Sequence, residues 1–258
     1  MSRLLSRLCM LVLTSASAVA QYEANAGAQP GGGGLSNPAK PPLAAASTGL
    51  LPKSVAVSGV VQAVSPAELA GLDAFCFEPS HTLECSDGTL YLVSATVDLD
   101  AYVGQNVKAY GQTIFECPYI DVQSVEVPAP VTLDLCGTGG FGCPVRLRSG
   151  PGGLAQHTLF VALAAGFFPL NPAKGSVLLG EPFFQIASKA STGPGAGAAF
   201  DFTIPPIPAL IGAKLYFQTV RKPLTITTDV SPPGPPVLSN AACLEIVGVT
   251  AFCVDPDC

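Results

Sequence analysis

Residues 82–94 read Thr82-Leu-Glu-Cys85-Ser-Asp87-Gly88-Thr-Leu-Tyr91-Leu-Val-Ser94. Asp-Gly between two runs of strand-forming residues favours a type I′ turn, because both central positions need a positive φ that Asp and Gly tolerate. The stretch predicts a hairpin with arms Thr82–Cys85 and Thr89–Ser94. Working outward, Val55, Val57 and Val61 recur at odd positions through Ser54–Val64, with Gly59 interrupting the series. Val107–Tyr110 is another short run, ending at Gly111, and Tyr119–Val127 is the last. There Ile120 and Val122 share one phase while Val125 and Val127 take the other, which predicts a bulge. Five such strands within residues 53–128 fit a small closed barrel.

The remainder is equally strand-like. Gln156–Ala164, Gly175–Gly180, Phe183–Ala187, Ala199–Ile204, Lys214–Val220 and Ala242–Val247 read as strands separated by Pro- and Gly-rich turns. Phe200, Phe202 and Ile204 alternate with Asp201 and Thr203, and Leu215 and Phe217 with Tyr216 and Gln218. Strands of this kind predict an antiparallel β-sandwich over residues 143–250. Residues 129–142, ending in the glycine-rich Gly137–Gly142, read as a hinge, and residues 251–258 as a tail. The fold class is thus all-β. With Gly at 27 and Pro at 25 of 258 residues, long helices and coiled coils are disfavoured.

Two stretches carry a family resemblance. Tyr91-Leu-Val-Ser-Ala-Thr-Val-Asp98-Leu-Asp100-Ala-Tyr102-Val-Gly104-Gln-Asn-Val107-Lys-Ala-Tyr110-Gly111, with Cys117-Pro-Tyr119-Ile-Asp-Val122 as a closing strand, resembles the small OB-fold-like barrels of secreted bacterial proteins. Ile204-Pro-Pro-Ile-Pro-Ala-Leu-Ile-Gly212, Leu215-Tyr-Phe-Gln218 and Leu238-Ser-Asn-Ala241 are similar to a sandwich-like module in secreted proteins of planctomycetes and related bacteria. The resemblance implies a fold and brings no activity with it.

Residues 1–20 read as a signal peptide. Arg3 and Arg7 precede the apolar Leu8–Leu13, and Ala18-Val-Ala20 forms an A-x-A cleavage site ahead of Gln21. The apolar stretch is too short to span a bilayer, so no membrane insertion is expected. Residues 21–52, with Gly31–Gly34 and few bulky side chains, read as a flexible linker. Export implies an oxidising compartment. Cys9 leaves with the leader, and the remaining Cys76, Cys85, Cys117, Cys136, Cys143, Cys243, Cys253 and Cys258 are an even set suited to structural disulfides. Proximity favours Cys136 with Cys143, and Cys117 with Cys76 or Cys85; Cys243, Cys253 and Cys258 would secure the tail.

Charge narrows the function. Residues 53–128 hold two basic and ten acidic residues, and residues 143–250 hold seven basic and four acidic. A barrel so acidic repels phosphates, so nucleic acid is excluded as a partner. Opposite signs on neighbouring units favour their packing, weakly.

Candidate sites are few. Asp98 and Asp100 alternate before a turn, as oxygen ligands of calcium do, but the full calcium loop is absent and capping of the turn is favoured. Tyr91, Tyr102, Tyr110 and Tyr119 lie in the barrel, where aromatic rings either stack on sugars or fill the strands. Gly137-Thr-Gly139-Gly-Phe-Gly142 matches G-x-G-x-x-G on letters alone and reads as a turn, since Pro144 follows and no helix does. The only histidines are His81 and His157, and no hydrolase motif is present. The expected function is a secreted, non-catalytic surface or matrix module that binds a glycan or a cell-surface protein. The competing expectations are a secreted hydrolase working through carboxylates or bound calcium, and a pure scaffold.

Overall fold

The structure, a computed structural model, describes residues 53–69, 78–114, 117–150, 153–193, 195–224, 234–248 and 253. The expected signal peptide, the linker, Cys76, Cys258 and the tail apart from Cys253 lie outside the described residues. Leu51–Cys258 forms one compact unit.

Its first part is a ring of five strands: β1 (Ser54–Ala63), β2 (His81–Leu83), β3 (Tyr91–Val93), β4 (Asn106–Thr113) and β5 (Tyr119–Glu126). They hydrogen-bond in the closed order β1-β2-β3-β5-β4, with β3 and β5 parallel and the other pairs antiparallel. This is the OB-like arrangement, although the three-residue β2 and β3 keep it from being a regular barrel. Val55, Val57, Val61, Leu83, Leu92, Val107, Ala109, Ile120 and Val122 fill it, as period-2 alternation requires. The bulge foreseen in the last strand is present. Tyr110 pairs with Ser124 and Gly111 with Val122, so Gln123 is left over.

The Asp87-Gly88 hairpin forms, but not with the two-residue turn its sequence suggested. β2 and β3 pair through His81–Leu92 and Thr82–Tyr91, and the intervening loop spans residues 84–90. Cys85, Asp87 and Gly88 all take positive φ, at 65°, 46° and 73°. Thr82 Oγ1 donates to the Leu90 carbonyl at 2.8 Å, and the Ser86 amide donates to the Leu83 carbonyl at 3.1 Å. These local bonds favour the longer loop over a tight reversal.

The second part is a sandwich. One sheet holds β6 (Thr132–Gly137), β7 (Pro144–Gly150) and β12 (Ala198–Thr203) in the order β12-β7-β6. The other holds β8 (Ala155–Ala162), β11 (Phe183–Ser191), β13 (Lys214–Pro223) and β14 (Val237–Leu238) in the order β11-β8-β13-β14, with β15 (Ala242–Glu245) also on β13. β9 (Ala165–Pro169) and β10 (Ser176–Leu179) form a separate hairpin. Facing side chains include the buried Leu147 and Phe200 on one sheet and Leu159 and Phe217 on the other.

The hinge expected at residues 129–142 needs correction, because β6 occupies its middle and pairs with β7 from Thr132–Gly150 to Gly137–Val145. Val131 and Leu133 are buried there. The glycines serve close approach: a Cβ on Gly139 would meet the Glu245 carbonyl oxygen at 1.8 Å, so only glycine lets this loop pass β15.

Ring and sandwich share a core. Leu178 of β10 and Ala241 belong to the cluster that fills the ring. Ser176 Oγ donates to the Ala56 carbonyl at 2.6 Å, and Asn106 Nδ2 donates to Asn240 Oδ1 at 3.1 Å. An exposed ion pair, Lys214 with Asp87 at 3.1 Å, also spans them, a minor contribution beside the buried contacts.

The disulfides do not follow sequence proximity. Cys85 pairs with Cys243 across 158 residues, and Cys143 with Cys253 across 110. The expected Cys136–Cys143 pair is therefore excluded, as is Cys85 of the two partners offered for Cys117, although Cys117 and Cys136 are disulfide-bonded as well. In a sheet, spatial neighbours come from strand order, so loop-adjacent cysteines have no privilege. Disulfides are compatible with an extracytoplasmic compartment. Among the described residues no helix is long and apolar enough to cross a membrane.

Candidate functional site

The four tyrosines do not form one face. Residues directly opposite in a ladder point to the same side of a sheet, so Tyr91 and Tyr119, paired across β3 and β5, lie outside the ring, opposite to Leu92 and Ile120. They are nevertheless only 4% and 1% exposed, and their rings meet edge to face at 5.5 Å. Burial raises both phenols above their ordinary value, with a further push from Glu68 on Tyr91 and from Tyr91 on Tyr119. The Tyr119 hydroxyl has no hydrogen-bond partner among the described residues. Tyr102, in the 3-10 turn Leu99–Tyr102, is half-buried against the ring core.

Tyr110 points outward from β4 and is also half-buried. Its hydroxyl donates to Glu126 Oε2 at 2.8 Å, and Lys108 Nζ lies 5.0 Å from its ring centroid. Burial, then the bond to Glu126 and its charge, push the phenol up to about 12. Burial lowers the Lys108 amine, against the pull of Glu126. Of the four, only Tyr102 and Tyr110 keep appreciable surface.

Asp98 caps the 3-10 turn: its Oδ1 accepts from the Asp100 amide at 3.2 Å. Asp100 instead faces a histidine. His81 Nε2 is 3.1 Å from Asp100 Oδ1, and His81 Nδ1 is 2.8 Å from Ser80 Oγ. Among the described residues no three His, Cys, Asp or Glu side chains gather in a metal-binding group, and Asp98 takes the capping role that the sequence favours over calcium ligation.

His157 stands in the middle of the sandwich and is fully buried. Its Nδ1 is 2.9 Å from Ser149 Oγ of the facing sheet, and Ser149 Oγ is 2.9 Å from Thr219 Oγ1. His157 Nε2 is 3.1 Å from Ser191 Oγ, which donates to the Gly153 carbonyl at 2.6 Å. Burial, reinforced by Arg221, lowers the imidazole below its ordinary value. The network is closed to solvent and joins the two sheets, a structural use of histidine and serine.

An open concavity lies on the outer face of the smaller sheet. Thr132, Asp134, Arg148, Gly150, Gly195, Gly197 and Ala199 are among the residues lining a cleft of about 450 Å³. Leu133, Val145 and Leu147 point into the core, so alternation turns Asp134, Arg146 and Arg148 outward. Asp134 and Arg148 are direct cross-strand neighbours. Partial burial raises the carboxyl of the otherwise exposed Asp134, while Arg148 pulls it down. Beside them Arg146 Nε binds Asp201 Oδ1 at 2.6 Å. The rim depends on a small residue: a Cβ on Gly197 would meet the Ser149 carbonyl at 2.3 Å.

This cleft goes unrecognised in the sequence because β6 falls within the expected hinge and β7 is not among the expected strands. The signal was present as Val131-Thr-Leu133-Asp-Leu135 and Val145-Arg-Leu147-Arg148, where charges alternate with apolar residues. No protein-family model matches the chain, and no curated protein matches it.

Proposed function

We propose that this is an exported surface module, built on the OB-like ring and sandwich its sequence resembles, that binds a glycan in the cleft of its smaller sheet. The observation that carries the reading is the Asp134–Arg148 pair over a glycine-lined cleft. Its volume of about 450 Å³ falls within the ~300–1,000 Å³ of small-ligand sites. A carboxylate accepts hydrogen bonds from sugar hydroxyls and a guanidinium donates to them. Thr132 adds a hydroxyl, and the glycines let a ligand approach the backbone. Opposite charges side by side suit a neutral polyhydroxylated ligand better than a phosphate, which Asp134 would repel. With no aromatic ring among the lining residues, recognition rests on hydrogen bonds rather than stacking.

The test is a glycan array probed with the mature protein, with calcium and with a chelator, followed by titration calorimetry on any hit. Binding is expected to saturate, to survive Tyr110→Ala and to be lost in Asp134→Asn, which keeps the side chain's shape. Equal affinity in Asp134→Asn would move the site elsewhere. A blank array would return the molecule to a scaffold or protein-binding role.

A further inference from the structure

Leu163-Ala-Ala-Gly-Phe-Phe168-Pro-Leu170-Asn171-Pro-Ala173 runs from the end of β8 through β9 into its turn, and none of these residues is buried. The run carries no charge, and Asn171 is its one polar side chain. Asn171 Oδ1 already accepts from the Ala173 amide at 2.9 Å. Phe168 and Leu170 are 46% and 41% exposed. The apolar surface continues past the strand. Phe168 sits opposite Val177, and Val177 and Phe160 both pack against Ala162, Leu179 and Tyr216. The exposed Phe183 meets Phe160 edge to face at 6.0 Å. Single exposed apolar residues are ordinary on a protein surface, whereas a contiguous run marks contact with a partner or a membrane.

The hairpin is built to refuse another strand. Among the described residues β9 pairs only with β10, so no strand lies on its outer edge. Pro169 has no N–H to give, its carbonyl accepts from Lys53 Nζ at 3.2 Å, and the ladder slips between Ala165 and Phe168. Proline, lysine and a bulge are the devices that keep an edge strand from pairing with a neighbour. What remains on offer is apolar side-chain area with no free directional group. Protein interfaces set hydrogen bonds among their apolar contacts. A lipid surface needs none: buried apolar area and cations at headgroup level suffice. The charges agree with that partner. Residues 135–180 contain no acid, in a chain whose net charge is −6. Lys174 is exposed on the turn, and Lys53 Nζ stands at the hairpin's edge. Glu181, the next acid, lies beyond the hairpin's base.

We propose that the β9–β10 hairpin docks the protein on an anionic lipid surface, with Phe168 and Leu170 entering the boundary between headgroups and acyl chains. Lys174, and the donors of Lys53 that Pro169 leaves free, meet the lipid phosphates. The hairpin lies in the interface and spans nothing. An acidic protein thereby approaches an anionic surface by its acid-free side. The cleft belongs to β12-β7-β6, a different sheet, so lipid docking and glycan binding stand or fall separately.

The test is flotation of the mature chain with phosphatidylcholine vesicles, with and without phosphatidylglycerol. The chain has no tryptophan, so Phe168→Trp places a single indole on the hairpin. Its emission is expected to shift to the blue with the anionic vesicles and to be quenched by lipids brominated on their acyl chains. Phe168→Ser combined with Leu170→Ser, at exposed positions that keep the fold, is expected to lower binding by more than about tenfold with an unchanged thermal melt. Lys174→Gln is expected to lower it by about threefold to fivefold, on the anionic vesicles alone. No flotation with either vesicle, an unshifted indole on protein that floats, or equal binding by the double variant would overturn the docking site. So would a dimer in light scattering that the double variant dissolves while the vesicles stay bare, since the hairpin would then face a second copy.

Discussion

Acid should weaken this fold through His157 before its carboxylates titrate. The imidazole is fully buried among Ser149, Thr219 and Ser191, with Arg221 as its charged neighbour on β13. Burial and Arg221 both hold its native pKa below the ordinary value. Unfolded, it returns to about 6.5. Below that pH the unfolded chain binds a proton that the native chain refuses, so unfolding takes up a proton and stability falls with pH. The slope is about 1.4 kcal/mol per pH unit for one proton, and it persists down to the native pKa.

Asp134 has the opposite sign. Its raised native pKa makes the folded state bind its proton first, so it resists acid slightly. A variant comparison removes this and every other background group. Urea unfolding of the oxidised wild type and of His157→Gln, at half-unit steps from pH 7.5 to 5.0, gives two stability curves. Gln retains polar contacts at the site but cannot titrate. The wild type should lose up to about 1.4 kcal/mol per unit relative to the variant below about pH 6.5. Parallel curves across that range would refute a buried neutral His157, whatever the offset between them.

Four further outcomes are expected. Ser149→Ala removes the hydroxyl shared by His157 and Thr219 and should cost about 1–3 kcal/mol in urea unfolding, since it strands buried polar atoms. Replacing Cys85 and Cys243 together by Ser opens a loop of 158 residues and should cost about 2–5 kcal/mol, measured against the wild type under oxidising conditions. Gly197→Ala drives a methyl against the Ser149 carbonyl and should cost about 1–3 kcal/mol, while distorting the cleft enough to weaken any ligand found there. Asp98→Ala removes the cap of the 3-10 turn and should cost about 0.5–2 kcal/mol, with a thermal melt as the readout.

Strand existence was legible for most strands that turn one face to a core. Val55, Val57 and Val61 announced β1, and the change of phase after Val122 announced the bulge. The hairpin was legible but its turn was not, because Thr82 and Ser86 bind the loop backbone and outcompete the tight reversal that Asp-Gly prefers. β6 was hidden by the glycines that follow it, which mark close passage to β15 and not flexibility. Disulfide partners were illegible in principle, since Cys85 and Cys243 meet only after the ring and sandwich have docked. Tyrosine burial was equally out of reach: alternation places Tyr91 and Tyr119 on the outer face of the ring, and nothing in a strand's own sequence says that this face is covered.

That covered face bears on where the proposed ligand would bind. In OB-like rings, the outer surface around the second and third strands is the usual ligand platform. Here Thr82, Tyr91 and Tyr119 hold that surface at 6%, 4% and 1% exposure, so its aromatic area is spent on packing. The ring is also tied to the sandwich by Cys85–Cys243, by Ser176 on the Ala56 carbonyl and by Leu178 in its core. Under the proposed function, a ring fixed in this way would serve as a support. The sandwich sheet it does not cover, β12-β7-β6, turns Asp134, Arg146, Arg148 and Asp201 outward. Its cleft side is rimmed by glycines that lack the side chains to close it. If the molecule recognises a polar ligand, this division of labour predicts that substitutions on the ring change stability, whereas substitutions at Asp134 and Arg148 change binding with little effect on stability.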